Sequence, residues 1–153
     1  NSSNAKGLLL IGSVTFVIAA ATAQLATGFG FAIPSAPISL AVTVVVIGIA
    51  VAIAAIPIAR YRGQKEAGKT SKRPNPFYAV RVLLFARAAQ ITSVGFLGWH
   101  AGLALWLIAF TPSLNLVQES SFAALLCLLG LAGALLAEWN CKAPRDGDEN
   151  EAA

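Results

Sequence analysis

ISLAVTVVVIGIAVAIAAIPIA, residues 38–59, continues for 22 positions without a charged side chain. As a helix rising 1.5 Å per residue, such a run covers about 33 Å, enough for a hydrocarbon core of roughly 30 Å. Its Val and Ile content would favour a strand in water. In lipid, an uninterrupted apolar run must satisfy its own backbone and is therefore helical. Three further apolar runs flank it, at Gly7 to Ala26, Ala88 to Phe110 and Phe122 to Ala137. In a chain of 153 residues with 57% hydrophobic content, too few polar residues remain to cover a soluble globule. The fold expected is all-α: a polytopic membrane protein of one domain, residues 1–153. Four transmembrane helices at about 7–26, 38–59, 77–110 and 122–140 form two hairpins.

Charge sets the expected orientation. Six of the eleven basic residues, Arg60, Arg62, Lys65, Lys69, Lys72 and Arg73, fall in the connection 60–76, opposed there only by Glu66. Short positive loops stay on the cytoplasmic side during insertion, so this segment is placed in the cytoplasm. With four crossings both termini follow it, and Lys6, Lys142 and Arg145 at the flanks agree. The opposite connections, Thr27 to Pro37 and Thr111 to Ser121, hold a single charge, Glu119. N-in, C-in topology is the expectation. Lys6, the apolar run behind it and Ala21-Thr22-Ala23 also suit a secretory signal peptide; the segment is read here as a retained first span. The acidic end, Asp146 to Glu151 within a tail at 143–153, reads as solvated chain.

Proline and glycine punctuate the spans. Gly28-Phe29-Gly30-Phe31 closes the first helix and Pro34 to Pro37 opens the second, while Pro57 falls in the last turn of the second and can bend it. Asn75-Pro76 is a helix start, which makes the third helix about 51 Å long from Phe77 to Phe110 and implies tilt or an extension into the cytoplasm. Cys127 and Cys141 lie about 21 Å apart along one helix, beyond disulfide reach of roughly 7 Å.

Few polar groups remain to carry chemistry. Arg87, followed by apolar residues and Gln90, needs an acceptor inside the membrane, and Glu138 is the available carboxylate; Arg81 competes for it. The expected structural ion pair is thus Glu138 with Arg81 or Arg87, locking the fourth helix to the third. Snorkelling of Arg87 to headgroups is the simpler alternative. His100, the only histidine, reads as a packing residue rather than a metal ligand or titrating group. Gly95, Gly98 and Gly102 on the third helix and Gly130 and Gly133 on the fourth offer faces for close helix packing.

HExxH, CxxC and P-loop patterns do not occur, and no aspartate precedes Asp146. Gly28-Phe29-Gly30 is no nucleotide fingerprint, because Ile33 stands where a third glycine is required. No catalytic, cofactor-binding or metal site is expected, and the basic excess is explained by topology without nucleic acid.

The segments Asn75-Pro76-Phe77-Tyr78-Ala79-Val80-Arg81 and Leu136-Ala137-Glu138-Trp139-Asn140-Cys141-Lys142-Ala143-Pro144 resemble an actinobacterial family of small membrane proteins, the domain-of-unknown-function family 3180. Members join two helical hairpins by an arginine-rich loop, followed by a Pro-led Ala-x-Arg segment and a Gly-rich third helix. The matching residues here are Pro76, Ala79, Arg81, the Trp99 to Leu105 stretch, Glu138, Cys141 and Pro144. Ala137 replaces a usual leucine, and the exit Asn140-Cys141-Lys142 also departs from the pattern. The resemblance implies the plasma membrane of a high-GC Gram-positive cell and brings no activity.

The leading functional expectation is a non-enzymatic accessory or scaffold subunit of a larger plasma-membrane complex, whose partners are other integral membrane proteins. A small transporter or channel-like homo-oligomer is the rival. Arg87 and His100 lie about 140° apart around their helix, however, so Arg87, Gln90 and His100 form no single polar stripe. A third reading has Arg60, Arg62, Lys65, Lys69, Lys72 and Arg73 contact anionic phospholipid.

Overall fold

The computed structural model describes residues 2–34, 37–70 and 72–142. Pro144, Arg145 and the acidic tail lie outside the described residues. The order of elements is α1 (Ser2–Gly28), α2 (Ile38–Ala54), α3 (Ile56–Glu66), α4 (Pro76–Phe110) and α5 (Leu114–Cys141), and among the described residues there is no strand. Taken with α3 as the continuation of α2, four helices are long and apolar enough to cross a membrane: Asn4–Gly28, Ile38–Glu66, Pro76–Phe110 and Leu114–Cys141.

Besides an earlier start of α1, at Ser2 rather than about Gly7, two boundaries differ from those expected. The second span does not end at Ala59: it breaks at Ala55, two residues before Pro57, and then continues helical to Glu66. Arg60, Arg62 and Lys65 are therefore on a helix rather than in a loop. Proline has no N–H to give the carbonyl of Ile53, and the neighbouring Ala54 carbonyl accepts a hydrogen bond from the Tyr78 hydroxyl at 2.6 Å instead. The helix stops at Gly68, whose φ of 69° places it in the left-handed region. Lys69 N–H donates to the Gln64 carbonyl at 2.9 Å and Gly68 N–H to that of Lys65 at 3.1 Å, the paired bonds of a Schellman motif. Gly30 ends α1 in the same way.

The second difference lies at the opposite end. Thr111 to Ser121 was expected as a loop, yet α5 begins at Leu114 and leaves only Thr111 to Ser113 between helices. Asn115, Gln118, Glu119, Ser120 and Ser121 are polar but none breaks a helix, so the first two turns of α5 are an amphipathic extension of the span. At the start of α4, Asn75 caps the helix, its side chain accepting from Phe77 N–H at 2.9 Å ahead of Pro76.

Packing centres on α4. It lies against α5 and α1, while α2 packs on α5 and, less extensively, on α4. α1 and α2, expected as a hairpin, share no substantial interface. Buried positions are dominated by small residues such as Ala19, Ala23, Ala41, Ala86 and Ala134, whereas Leu9, Leu10, Val17, Leu84 and Leu129 face outward. That inversion suits a protein whose solvent is as apolar as leucine, where helices associate by close backbone approach rather than by hiding large side chains. Cys127 is buried and Cys141 half-buried, both as free thiols.

Candidate functional site

Glycine brings the helices close enough for their polar groups to meet. A Cβ built at Gly48 would lie 2.5 Å from the Gly130 carbonyl oxygen, and one at Gly133 would lie 2.9 Å from the Gly48 oxygen, so α2 and α5 cross backbone to backbone. On the other face of the core, Gly98 abuts the Gly12 carbonyl and the Thr15 hydroxyl, and a Cβ at Gly102 would sit 2.5 Å from the Phe16 oxygen. Gly95 does not share this role: nothing lies within 4 Å of a Cβ there, although it projects within about 20° of Gly102 around the helix, about two turns further along. Sequence reasoning missed Gly12 and Gly48. Gly48 is the one glycine in the apolar run 38–59, which was the available signal.

One polar cluster stands where α4 and α5 meet at the end bearing the basic segment. Glu138 is 4% exposed. The Gln90 amide donates to its Oε2 and reaches the Ala134 carbonyl at 3.4 Å. On the other carboxylate oxygen, Lys142 Nζ lies at 2.7 Å and Arg87 Nε at 4.0 Å. Of the two arginines expected to compete for Glu138, only Arg87 reaches it, at the outer limit of an ion pair and with a half-exposed side chain. Arg81 is exposed and forms no ion pair among the described residues. Six positions, not a multiple of a helical turn, separate it from Arg87, and the two side chains leave α4 in different directions. Lys142 takes the place given to Arg81. Its spacing from Glu138, four residues on one helix, was the legible signal.

The basic residues divide by surroundings. Arg62 is half-buried, donating to the Trp139 carbonyl at 3.2 Å and lying 3.6 Å from Glu66. Arg60, Lys65, Lys69, Lys72 and Arg73 are exposed.

At the opposite end a cavity of about 260 Å³ is enclosed by α4, the amphipathic start of α5 and the segment entering α2. His100, Ser120 and Glu119 are its polar wall residues, against the apolar side chains of Ile38, Leu103 and Leu107. His100 is 2% exposed, and its Nε2 is sealed from solvent without a hydrogen-bond partner. Beside the cavity, Trp106 Nε1 donates to Gln24 Oε1 at 3.0 Å, joining α4 to α1. A smaller cleft of about 180 Å³ at the basic end is lined by Asn4, Arg87 and Gln90 among others. Gln90 and His100 thus open onto different spaces. Among the described residues, no three His, Cys, Asp or Glu side chains gather in a metal-binding arrangement.

A multi-pass helical membrane protein, tied internally by glycine crossings and one carboxylate cluster, is the class these features define. Residues 8–145 match the family described as Protein of unknown function (DUF3180), and the chain belongs to that family. No curated protein and no solved structure matches it.

Proposed function

We propose that this protein is a non-enzymatic accessory or scaffold subunit of a larger assembly in a bacterial plasma membrane, with both termini and the basic segment in the cytoplasm. The observation that carries this reading is the one-sided packing of α1. Only 11% of its most apolar stretch is buried, along the stripe that meets Gly98 and Gly102. The remaining faces present Leu9, Leu10, Val14, Val17 and Ile18 as a continuous apolar surface on which another membrane helix can lie. The interior polar groups support the same reading, since Gln90 and Arg87 on α4 meet Glu138 on α5 and hold the two helices together rather than converge on a reacting centre.

Anionic phospholipid is a second contact in this proposal. Arg60, Lys65, Lys69, Lys72 and Arg73 project from the α3 helix and the chain after it, each attracted to an anionic leaflet by about 1 kcal/mol. Transport by a homo-oligomer has less support, because Arg87 and Gln90 border one cleft and His100 another cavity.

Mild detergent extraction of the tagged protein at native expression, followed by mass analysis of the intact co-purifying species, tests the proposal. A stoichiometric complex with larger membrane proteins is the expected result. A lone homo-oligomer would refute it.

A further inference from the structure

The wall of the cavity beside His100 combines an apolar lining with three hydrogen-bonding side chains. His100 lies ten residues before the end of α4, so the cavity reaches about 15 Å down the helix from Phe110. Ser120 is buried on α5, while Glu119, next to it, is exposed and has no ion-pair partner among the described residues. Among the described residues, no lysine or arginine lines the space. The His100 ring lines the space, while its Nε2 is turned away from it, sealed and without a hydrogen-bond partner.

We propose that this cavity binds a small organic ammonium ion with a compact apolar body, entering from the end opposite the basic segment. The chemistry of the wall selects that class. An ammonium group has three N–H donors and no acceptor, and the wall supplies a carboxylate and a hydroxyl, each able to accept, beside the imidazole ring. An exposed carboxylate with no ion-pair partner among the described residues repels an anion and attracts a cation toward the cavity. Ile38, Leu103 and Leu107 offer the hydrocarbon surface that the ligand's body would cover. At about 260 Å³ the space is just below the range of roughly 300–1,000 Å³ common for ligand pockets, which limits the occupant to a small ring or short chain. This site is independent of the scaffold reading: an accessory subunit with or without partners could carry it.

A single histidine makes the test direct, since protein labelled with ¹⁵N-histidine in lipid nanodiscs gives the two ring-nitrogen signals of one imidazole. The probes are cyclohexylammonium, cyclohexanol and cyclohexanecarboxylate, which differ in polar group and share a body. Cyclohexylammonium is expected to shift the His100 signal saturably with a Kd of about 1 mM or tighter. Glu119→Gln should weaken that Kd by about threefold to tenfold, because one exposed carboxylate is being neutralised. Ile38→Trp, at an exposed position on the cavity wall, should abolish the shift. The proposal is overturned if no saturable shift occurs up to about 10 mM, if the alcohol or the carboxylate binds as tightly as the ammonium, or if Glu119→Gln leaves the Kd unchanged. Glu119 is a surface residue, so its variant keeps the test decisive even where the tryptophan variant fails to fold.

Discussion

Gly48→Ala and Gly95→Ala change the same atoms on two membrane helices and should move stability in opposite directions. At Gly48 the new Cβ would stand 2.5 Å from the Gly130 oxygen and 2.9 Å from its Cα, whereas ordinary contact begins at 3.4 Å. Both obstacles are backbone, so no rotamer can yield, and α2 must move from α5 by about 0.9 Å at the crossing. Overpacking of this kind costs about 1–3 kcal/mol. Opening the crossing also loosens Gly133 against Gly48 and Gly130 against Val44, which favours the upper end of that range. At Gly95 nothing lies within 4 Å, and the gain in helix propensity of about 0.5–1 kcal/mol stands alone. Reversible unfolding in mixed micelles, followed by circular dichroism against the fraction of denaturing detergent, compares the two variants with the parent. Expected is a loss of about 2–3 kcal/mol for Gly48→Ala and no loss for Gly95→Ala. Equal stability of the two variants would refute the assignment of the α2–α5 crossing.

Five further substitutions probe the polar ties. Glu138→Gln preserves shape but strips Lys142 and Arg87 of their anion, and should lower stability by about 1–3 kcal/mol, while Arg81→Gln should change it by less than about 0.5 kcal/mol; thermal unfolding in a mild detergent distinguishes them. Trp106→Phe and Gln24→Leu remove the two ends of one hydrogen bond, and a double-mutant cycle should return a coupling of about 0.6 kcal/mol, the usual size between membrane helices; zero coupling would mean that α1 is not held there. Tyr78→Phe frees the Ala54 carbonyl at the break between α2 and α3 and should speed amide hydrogen exchange at Ile58 and Ala59 relative to Val51, measured by mass spectrometry.

Hydropathy made the four spans legible because burial in lipid demands long apolar runs whatever the tertiary contacts. It failed at polar helix ends. Arg60 to Glu66 and Leu114 to Ser121 both look like loops on a hydropathy criterion, yet a helix leaving the bilayer needs only the absence of breakers, and its stop is written in Gly68 rather than in polarity. The second miss had consequences for the candidate site, because Glu119 and Ser120 belong to a helix that overhangs His100 and not to a free loop. In the carboxylate cluster, Glu138 was legible as the one acidic residue placed to meet the third span. Its partner was not, since choosing among Arg81, Arg87 and Lys142 depends on helix rotation and on which side chain the α4–α5 contact leaves free to reach inward.

Helix pairing was the least legible level, for a physical reason. Short connections make α1 and α2 neighbours in sequence, but no hydrophobic force in lipid draws neighbouring helices together, and association follows complementary stripes of small residues. α1 carries such a stripe at Gly12, Thr15, Ala19 and Ala23, and α4 answers with Gly98 and Gly102. α2 carries Ala41, Val44 and Gly48, which Ala123, Cys127, Gly130 and Gly133 on α5 answer. Each member of the first expected hairpin has therefore found its partner in the second, and α4 and α5, which pack on each other, carry both. α1 is consequently held to the rest of the molecule chiefly by α4, through two glycines and the Trp106–Gln24 bond. An element that packs chiefly on a single neighbour can shift on it without disturbing the α2–α4–α5 core, which makes α1 the helix best placed to adjust to a membrane partner.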